Sequence, residues 1–220
     1  MSEIFLDIET TGLSFNEKHR VVEIACIETN QLLPTKKIFH KLINPEREVP
    51  EEAFNIHGHS TNLLKTKQKF SEVADEFLSF IKDKDIIVHN AKFDIPFLNF
   101  ELKFSKKNEI KNNNIIDTLD ISRSKYPGTS NSLDALCKRF NVDLSRRTKH
   151  NALLDCELLR EVYINLLDAK EPKLSFISSV SEKNELQKKL DYSNKILSPT
   201  EKELQDHNKF IKAEMKKNYF

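Results

Sequence analysis

Tryptophan is missing from this 220-residue chain, and cysteine is scarce. Cys26, Cys137 and Cys156 are scattered and show no C-x-x-C spacing. Such a set excludes a disulfide framework or a zinc knuckle and predicts a reduced, cytoplasmic protein. No apolar run approaches the ~20 residues of a membrane helix. The start, Met1 to Asp7, lacks the basic and apolar stretches of a signal peptide, so the expectation is a soluble protein. Internal repeats are absent too. So is an excess of either charge: 35 Lys and Arg against 34 Asp and Glu leave a formal net charge of +1. A chain so nearly neutral has no global field to hold a polyanion, and any nucleic-acid binding has to be built locally.

What is present is core-forming material, with 38% hydrophobic residues and 15 Phe, enough for one good-sized domain and an extension. The charge is split. Residues 1–168 carry a small acidic excess, whereas residues 169–220 hold 11 Lys against 8 acids and no Arg. Ile4 to Ile8, Val21 to Ile27 and Ile38 to Ile43 read as strands, with a polar turn expected around Asn30 and Pro34. Phe70 to Ile81 carries an apolar stripe at helical spacing. Ile86 to Val88 is a buried-type strand, followed by a helix with Pro96 expected in its first turn. Ile115-Ile116 is a short strand ending at Asp117. Ser132 caps a helix to about Phe140, and a strongly apolar helix runs from about Ala152 to Leu167. The order β-β-β-α-β-α-β-α-α predicts an α/β fold with a mixed central sheet flanked by helices. From 169 to 198 the chain reads as a flexible linker. Pro199-Thr200 with Glu203 resembles a capping box that opens a short helix to about Met215 within a tail of residues 199–220.

The chemistry rests on acids. Asp7 and Glu9 lie two apart on one strand and therefore share a face. Side by side on an apolar strand they repel each other, a conflict that a hard divalent cation such as Mg²⁺ or Mn²⁺ relieves. Asp94 opens a helix just after a buried strand, where ligand sites of α/β sheets gather. Asp155 sits inside an apolar helix, and His150 precedes it at the loop-helix junction. Each has an ordinary reading by itself: solvated strand-edge acids, a helix-dipole acid, a solvated helix acid and a capping His. The set, in the order D-x-E, D, H-x-x-x-x-D, does not.

The pattern resembles the DEDDh exonucleases, a family of RNase H-like α/β fold, over roughly residues 3–167. Asp7-Ile8-Glu9-Thr10-Thr11-Gly12-Leu13 is similar to the family's first motif, His89-Asn90-Ala91-Lys92-Phe93-Asp94 to its second, and His150-Asn151-Ala152-Leu153-Leu154-Asp155 to its third. The segments from Pro50 to Gly58 and Asn131 to Cys137 resemble one branch, the epsilon proofreading subunits of bacterial DNA polymerase III. The resemblance implies a 3′→5′ exonuclease that removes mismatched nucleotides from a primer end. Asp7, Glu9, Asp94 and Asp155 would hold two divalent ions, and His150 would act as general base. Asp7, Glu9 and Asp155, with Thr10, Thr11, Leu13, Glu52 and His57, would bind the terminal nucleotide, Leu13 wedging against its base. The run Arg146-Arg147-Thr148-Lys149 is open to two readings, a solvated loop or a grip on the DNA backbone.

The resemblance also implies partners. A single-stranded DNA 3′ end would enter the site. The C-terminal tail would hold the polymerase catalytic (alpha) subunit, and a small theta-like subunit is a further partner of that family. Glu171 to Phe176 has some character of a sliding-clamp-binding peptide, and Tyr219-Phe220 could substitute for the aromatic that family tails carry near the end. Two other readings stand beside this one: a free-standing DEDDh nuclease that trims RNA or repairs DNA, and a non-catalytic scaffold that retains the fold.

Overall fold

A computed structural model describes residues 2–111, 114–167 and 198–214. The chain divides into two units, Met1–Leu174 and Ser175–Phe220. The first holds a five-stranded sheet of order β3-β2-β1-β4-β5, made of β1 (Ser2–Thr10), β2 (Val21–Asn30), β3 (Leu33–Leu42), β4 (Asp85–Val88) and β5 (Ile115–Asp117). β1 pairs antiparallel with β2 and β2 with β3, while β1–β4 and β4–β5 are parallel. The sheet is mixed, as the element order implies.

Two-residue alternation along β1 decides what lies on each face. Ile4, Leu6 and Ile8 pack into the core that also takes Phe70, Val73, Ala74 and Phe77 of α3 (Phe70–Ile81) and Phe97, Leu98 and Leu102 of α4 (Ala91–Phe104). Phe5 points the other way, into the cluster with Ala152, Cys156, Leu159 and Tyr163 of α7 (Ala152–Leu166). Asp7 and Glu9 share the parity of Phe5 and so belong to the α7 side. A third cluster joins Leu136 and Cys137 of α6 (Leu133–Phe140) to Leu158, Val162 and Leu166. All three cysteines are buried and free.

The other α-helices among the described residues are α1 (Glu51–His57), α2 (Thr61–Leu64), α5 (Thr118–Lys125) and α8 (Glu201–Glu214). The sequence pattern does not show α1, α2 and α5, which are short and lack a full apolar stripe. The β2–β3 hairpin is also longer than expected. Its turn is Gln31-Leu32, both left-handed at φ 52° and 65°, with no glycine to advertise it. Tertiary contacts stabilise that conformation: Leu32 packs against the α7 cluster, its N–H donates to Glu3 (3.3 Å) and its carbonyl accepts from Arg160 (3.0 Å). Pro34 lies inside β3, which tolerates it because β3 is an edge strand. Pro96 is not in the first turn of α4 but farther in, since that helix starts at Ala91.

In the second unit α8 begins with a reciprocal cap. Glu203 accepts from the Thr200 N–H at 2.7 Å, and the Thr200 hydroxyl accepts from the Glu203 N–H at 3.4 Å. Leu204 and Phe210 are exposed on it. The expected linker, the segment Glu171 to Phe176 and Tyr219-Phe220 fall outside the described residues, apart from residue 198 at the linker's end. Among the described residues no helix is long and apolar enough to cross a membrane.

Phe77 is fully buried, with its ring 5.7 Å from Phe39 and 6.3 Å from Phe70. Phe77→Ala is expected to lower the unfolding free energy by about 3–5 kcal/mol, read as a lower urea midpoint at unchanged slope.

Candidate active site

The four acids singled out in the sequence line one cavity of about 1280 Å³ at the carboxyl end of β1 and β4, together with His150. β1 supplies Asp7 and Glu9 from its centre and end. Asp155, buried in the first turn of α7, and Asp94, buried in the first turn of α4, come from opposite sides of the sheet. A group that sequence reasoning missed fixes the start of α4. Asp117, at the end of β5, accepts from the Asn90 N–H (3.0 Å), the Ala91 N–H (2.9 Å) and the Leu119 N–H (2.9 Å). Those bonds hold Asn90 in its left-handed conformation, φ 78°, and so aim Asp94. The signal was an N-cap before α5, obscured because α5 itself was not seen.

At the other side Asn151 caps α7, accepting from the Leu154 N–H at 3.0 Å. One donor atom from each of Glu9, His150 and Asp155 lies within 4.8 Å of the others. His150 Nδ1 is 3.9 Å from a Glu9 oxygen and 3.7 Å from an Asp155 oxygen, with the ring half-exposed. Arg147 is the second residue missed. Its side chain is buried rather than solvated, and donates to both Asp155 oxygens (2.6 and 2.8 Å), to Asp134 (2.7 Å) and to His150 Nδ1 (3.0 Å).

The electrostatics are those of acids crowded out of water. Burial pushes the Asp7 carboxyl well above the usual range, and Asp94, Asp155, Glu9 and Glu23 push it further. Burial carries Glu9 up to about 8, reinforced by Asp155 and Glu23 and opposed by Arg147. Burial takes Asp94 to about 8 against backbone hydrogen bonds that pull it back, with Asp117 adding to the rise. Burial and the neighbouring guanidinium of Arg147 lower His150. Such a group of hard oxygen donors, short of compensating cations, fits divalent ions with a preference for oxygen.

The opposite wall carries the residues expected to meet a nucleotide. The Thr10 hydroxyl donates to the Gly12 carbonyl (2.6 Å), the Thr11 N–H to the Arg20 carbonyl (2.9 Å), and the Arg20 N–H to the Thr11 hydroxyl (3.0 Å). A side chain at Gly12 would run into the His19 ring. This loop presents Leu13, 84% exposed, at the cavity edge. From α1 come Glu52, exposed, and His57, buried. His57 Nδ1 accepts from the His59 N–H at 3.0 Å, which leaves the proton of the neutral ring on Nε2. Nε2 is buried without a partner among the described residues. Burial and the neighbouring His59 lower His57 to about 4, so the ring is neutral at pH 7.

The third missed residue is Glu23 on β2, opposite Glu9 and fully buried. It read as part of an apolar strand. Burial works against its ionisation, but hydrogen bonds from His40, His59 and the Ala152 N–H hold it down at about 2.

Residues 4–163 match the RNase T exonuclease family. The DNA polymerase III subunit epsilon of Rickettsia felis is 45% identical over 224 residues, 98% of each chain. That of Rickettsia prowazekii is 47% identical over 219 residues, 96% of each. The Escherichia coli K12 protein of the same description is 41% identical over 169 residues, 74% of this chain and 70% of its own. Among solved structures, the nuclease domain of 3'hExo, a DEDDh family member, bound to rAMP, superposes with a TM-score of 0.67 at 16% identity, covering 77% of this chain and 92% of that one. Exonuclease X in complex with 5′-overhanging duplex DNA gives 0.60 at 22% identity, over 76% and 92%. These two likenesses are of fold.

The raised acids set a pH dependence. Glu9 takes up a proton on folding between its ordinary value of 4.5 and about 8, so the folded state binds more protons than the unfolded one across that window. Stability from this group is present below 4.5 and lost as pH rises through 8, and Asp94 acts in the same sense. With a chelator present, the melting temperature should therefore fall between pH 5 and pH 8, and Mg²⁺ or Mn²⁺ should restore it at pH 8. Calorimetry at both pH values checks this.

Proposed function

Since the chain belongs to the RNase T exonuclease family, and within it to the epsilon subunits of DNA polymerase III, we propose that Asp7, Glu9, Asp94 and Asp155 hold two divalent ions in this 3′→5′ proofreading exonuclease, with His150 as its general base. The observation that supports this reading most is the convergence of these groups, from β1, the loop before α7, α4 and α7, in one cavity whose other wall carries Thr10, Thr11, Leu13, Glu52 and His57. Mg²⁺ or Mn²⁺, when bound there, would neutralise phosphate charge and acidify a water.

The chain's own groups then have separable tasks. Thr10, Thr11 and Leu13 seat the terminal nucleotide, and Leu13 packs against its base. His57 offers its Nε2–H to an oxygen of that nucleotide, and Glu52 stands near the 3′-hydroxyl. His150, kept neutral at pH 7 by burial and Arg147, takes the proton of the attacking water. In the geometry described, Arg147 occupies the Nδ1 lone pair, so the half-exposed ring turns out of that contact to act. Selectivity follows from fraying. A mismatched end leaves the duplex at lower energetic cost and reaches the cavity more often.

Residues 1–168 form the nuclease domain in this reading, 169–198 a linker, and 199–220 the segment that binds the polymerase catalytic subunit through Leu204 and Phe210 of α8. A theta-like subunit and a sliding clamp, the latter through residues 171–176, are further partners, and the assembly works in the cytoplasm. Truncation after residue 168 is expected to abolish capture of the catalytic subunit while sparing the nuclease.

The direct test is digestion of a 3′-mismatched primer-template with Mg²⁺. Stepwise release of 5′-mononucleotides is expected, lost in Asp7→Ala and slowed by about 10²–10⁴-fold in His150→Ala. A folded wild-type protein that releases nothing would bring the scaffold reading forward.

A further inference from the structure

We propose that Glu23 is a positioning residue for this nuclease reaction, a buried carboxylate that sets the nucleotide-binding His57 and the α7 residues His150 and Asp155 in one register. The inference rests on the reading of the cavity given above.

Glu23 is fully buried on β2, and four donors converge on its two oxygens. Oε1 accepts from His40 Nε2 (2.6 Å) and Asn151 Nδ2 (3.1 Å), and Oε2 from His59 Nε2 (2.8 Å) and the Ala152 N–H (3.3 Å). Two bonds per oxygen complete a carboxylate's share in the plane. An isolated buried charge would be severely destabilising, and this full set of donors is what allows it to remain ionised.

The bonds run in two directions. One arm goes to the start of α7. Asn151 is that helix's N-cap and Ala152 its first residue, so fixing both fixes where Asp155 and the preceding His150 stand. The other arm goes to the turn after α1. The His59 ring, held by Glu23, stacks on His57 with centroids 5.0 Å apart, while the His59 N–H holds His57 Nδ1. That pair of contacts sets both the plane and the tautomer of His57. The two arms meet a second time where the His150 N–H donates to the Ile56 carbonyl (3.1 Å). Glu23 thus links the side of the cavity that holds the nucleotide to the side that carries the base, and no other described carboxylate bridges both.

Gln cannot reproduce this. Its amide nitrogen would face a second donor at Oε1's place. His40 can switch tautomer, but Asn151 cannot turn its amide without abandoning the Leu154 cap bond. Removal of a negative charge beside Glu9 would by itself ease Glu9's ionisation, so a fall in rate reports position rather than charge. A control lies on the same strand. Glu28 is also a buried carboxylate, bonded to Thr35, Lys37 and Lys84, and remote from the cavity lining.

The experiment compares Glu23→Gln, Glu28→Gln and wild type on single-stranded DNA at saturating Mg²⁺, at a temperature where circular dichroism shows each folded. Glu23→Gln is expected to lower kcat at least tenfold and raise KM at least threefold, whereas Glu28→Gln loses thermal stability but stays within twofold in both constants. Values within twofold for Glu23→Gln, or an equal loss of kcat in Glu28→Gln, would overturn the proposal. If Glu23→Gln does not fold, the arms are taken singly. His59→Phe keeps the ring stack and is expected to act mainly on KM, and Asn151→Ala mainly on kcat; near-wild-type constants in both would again sink it. An inactive wild type would strike the nuclease reading, and an active wild type with an unaffected Glu23→Gln only this one.

Discussion

Five carboxyl groups, Asp7, Glu9, Glu23, Asp94 and Asp155, are gathered around one end of β1, and their mutual repulsion in a poorly solvated space is the constraint that the surrounding structure answers. Left alone they would protonate or push the cleft apart. The protein treats them differently. Asp155 receives the Arg147 fork, Glu23 receives four hydrogen-bond donors, and Asp7, Glu9 and Asp94 keep their conflict, with proton affinities displaced upward. The unresolved part is where a divalent ion gains most by binding, because it removes repulsion as well as adding coordination.

That division explains why the site sits on helix starts and a central strand. β2 pairs with β1 at both positions, Asp7 opposite Ala25 and Glu9 opposite Glu23, so Asp7 and Glu9 stay side by side on one face. The first turns of α4 and α7 supply Asp94 and Asp155 from opposite faces, and unsatisfied N–H groups there are taken by Asp117, Asn151 and Glu23. Two further acids, Asp117 and Glu23, thus fix the elements that bear Asp94 and Asp155. The wall formed by Thr10 to Leu13 is held in the same way, by the Thr11–Arg20 exchange, and Arg20 is itself held by the buried Glu101 at 2.7 and 2.8 Å.

Much of the fold was legible because its long elements carry full patterns. The stripe from Phe70 to Ile81 and the apolar helix from Ala152 meet the sheet where their periodicity puts them, and Ser132 caps α6 with a 3.3 Å bond. What escaped was local and short. α1, α2 and α5 have too few turns to display a stripe, and the Gln31-Leu32 turn adopts a left-handed conformation that its residue types disfavour and its tertiary contacts supply.

The same division runs through the site. The spacing of Asp7 and Glu9, the place of Asp94 after a buried strand, and His150 five residues before Asp155 are properties of the chain, since strand and helix periods turn spacing into a shared face. Which charges neutralise which is not. Arg147 reads in sequence as one of a basic run and Glu23 as a polar residue in an apolar strand; the loop before α7 folds back to lay the first onto Asp155, and the meeting of β3, the turn after α1 and the start of α7 at β2 buries the second among His40, His59, Asn151 and Ala152. The partners of a buried charge are chosen by contacts between residues up to 129 positions apart, and no local period encodes these.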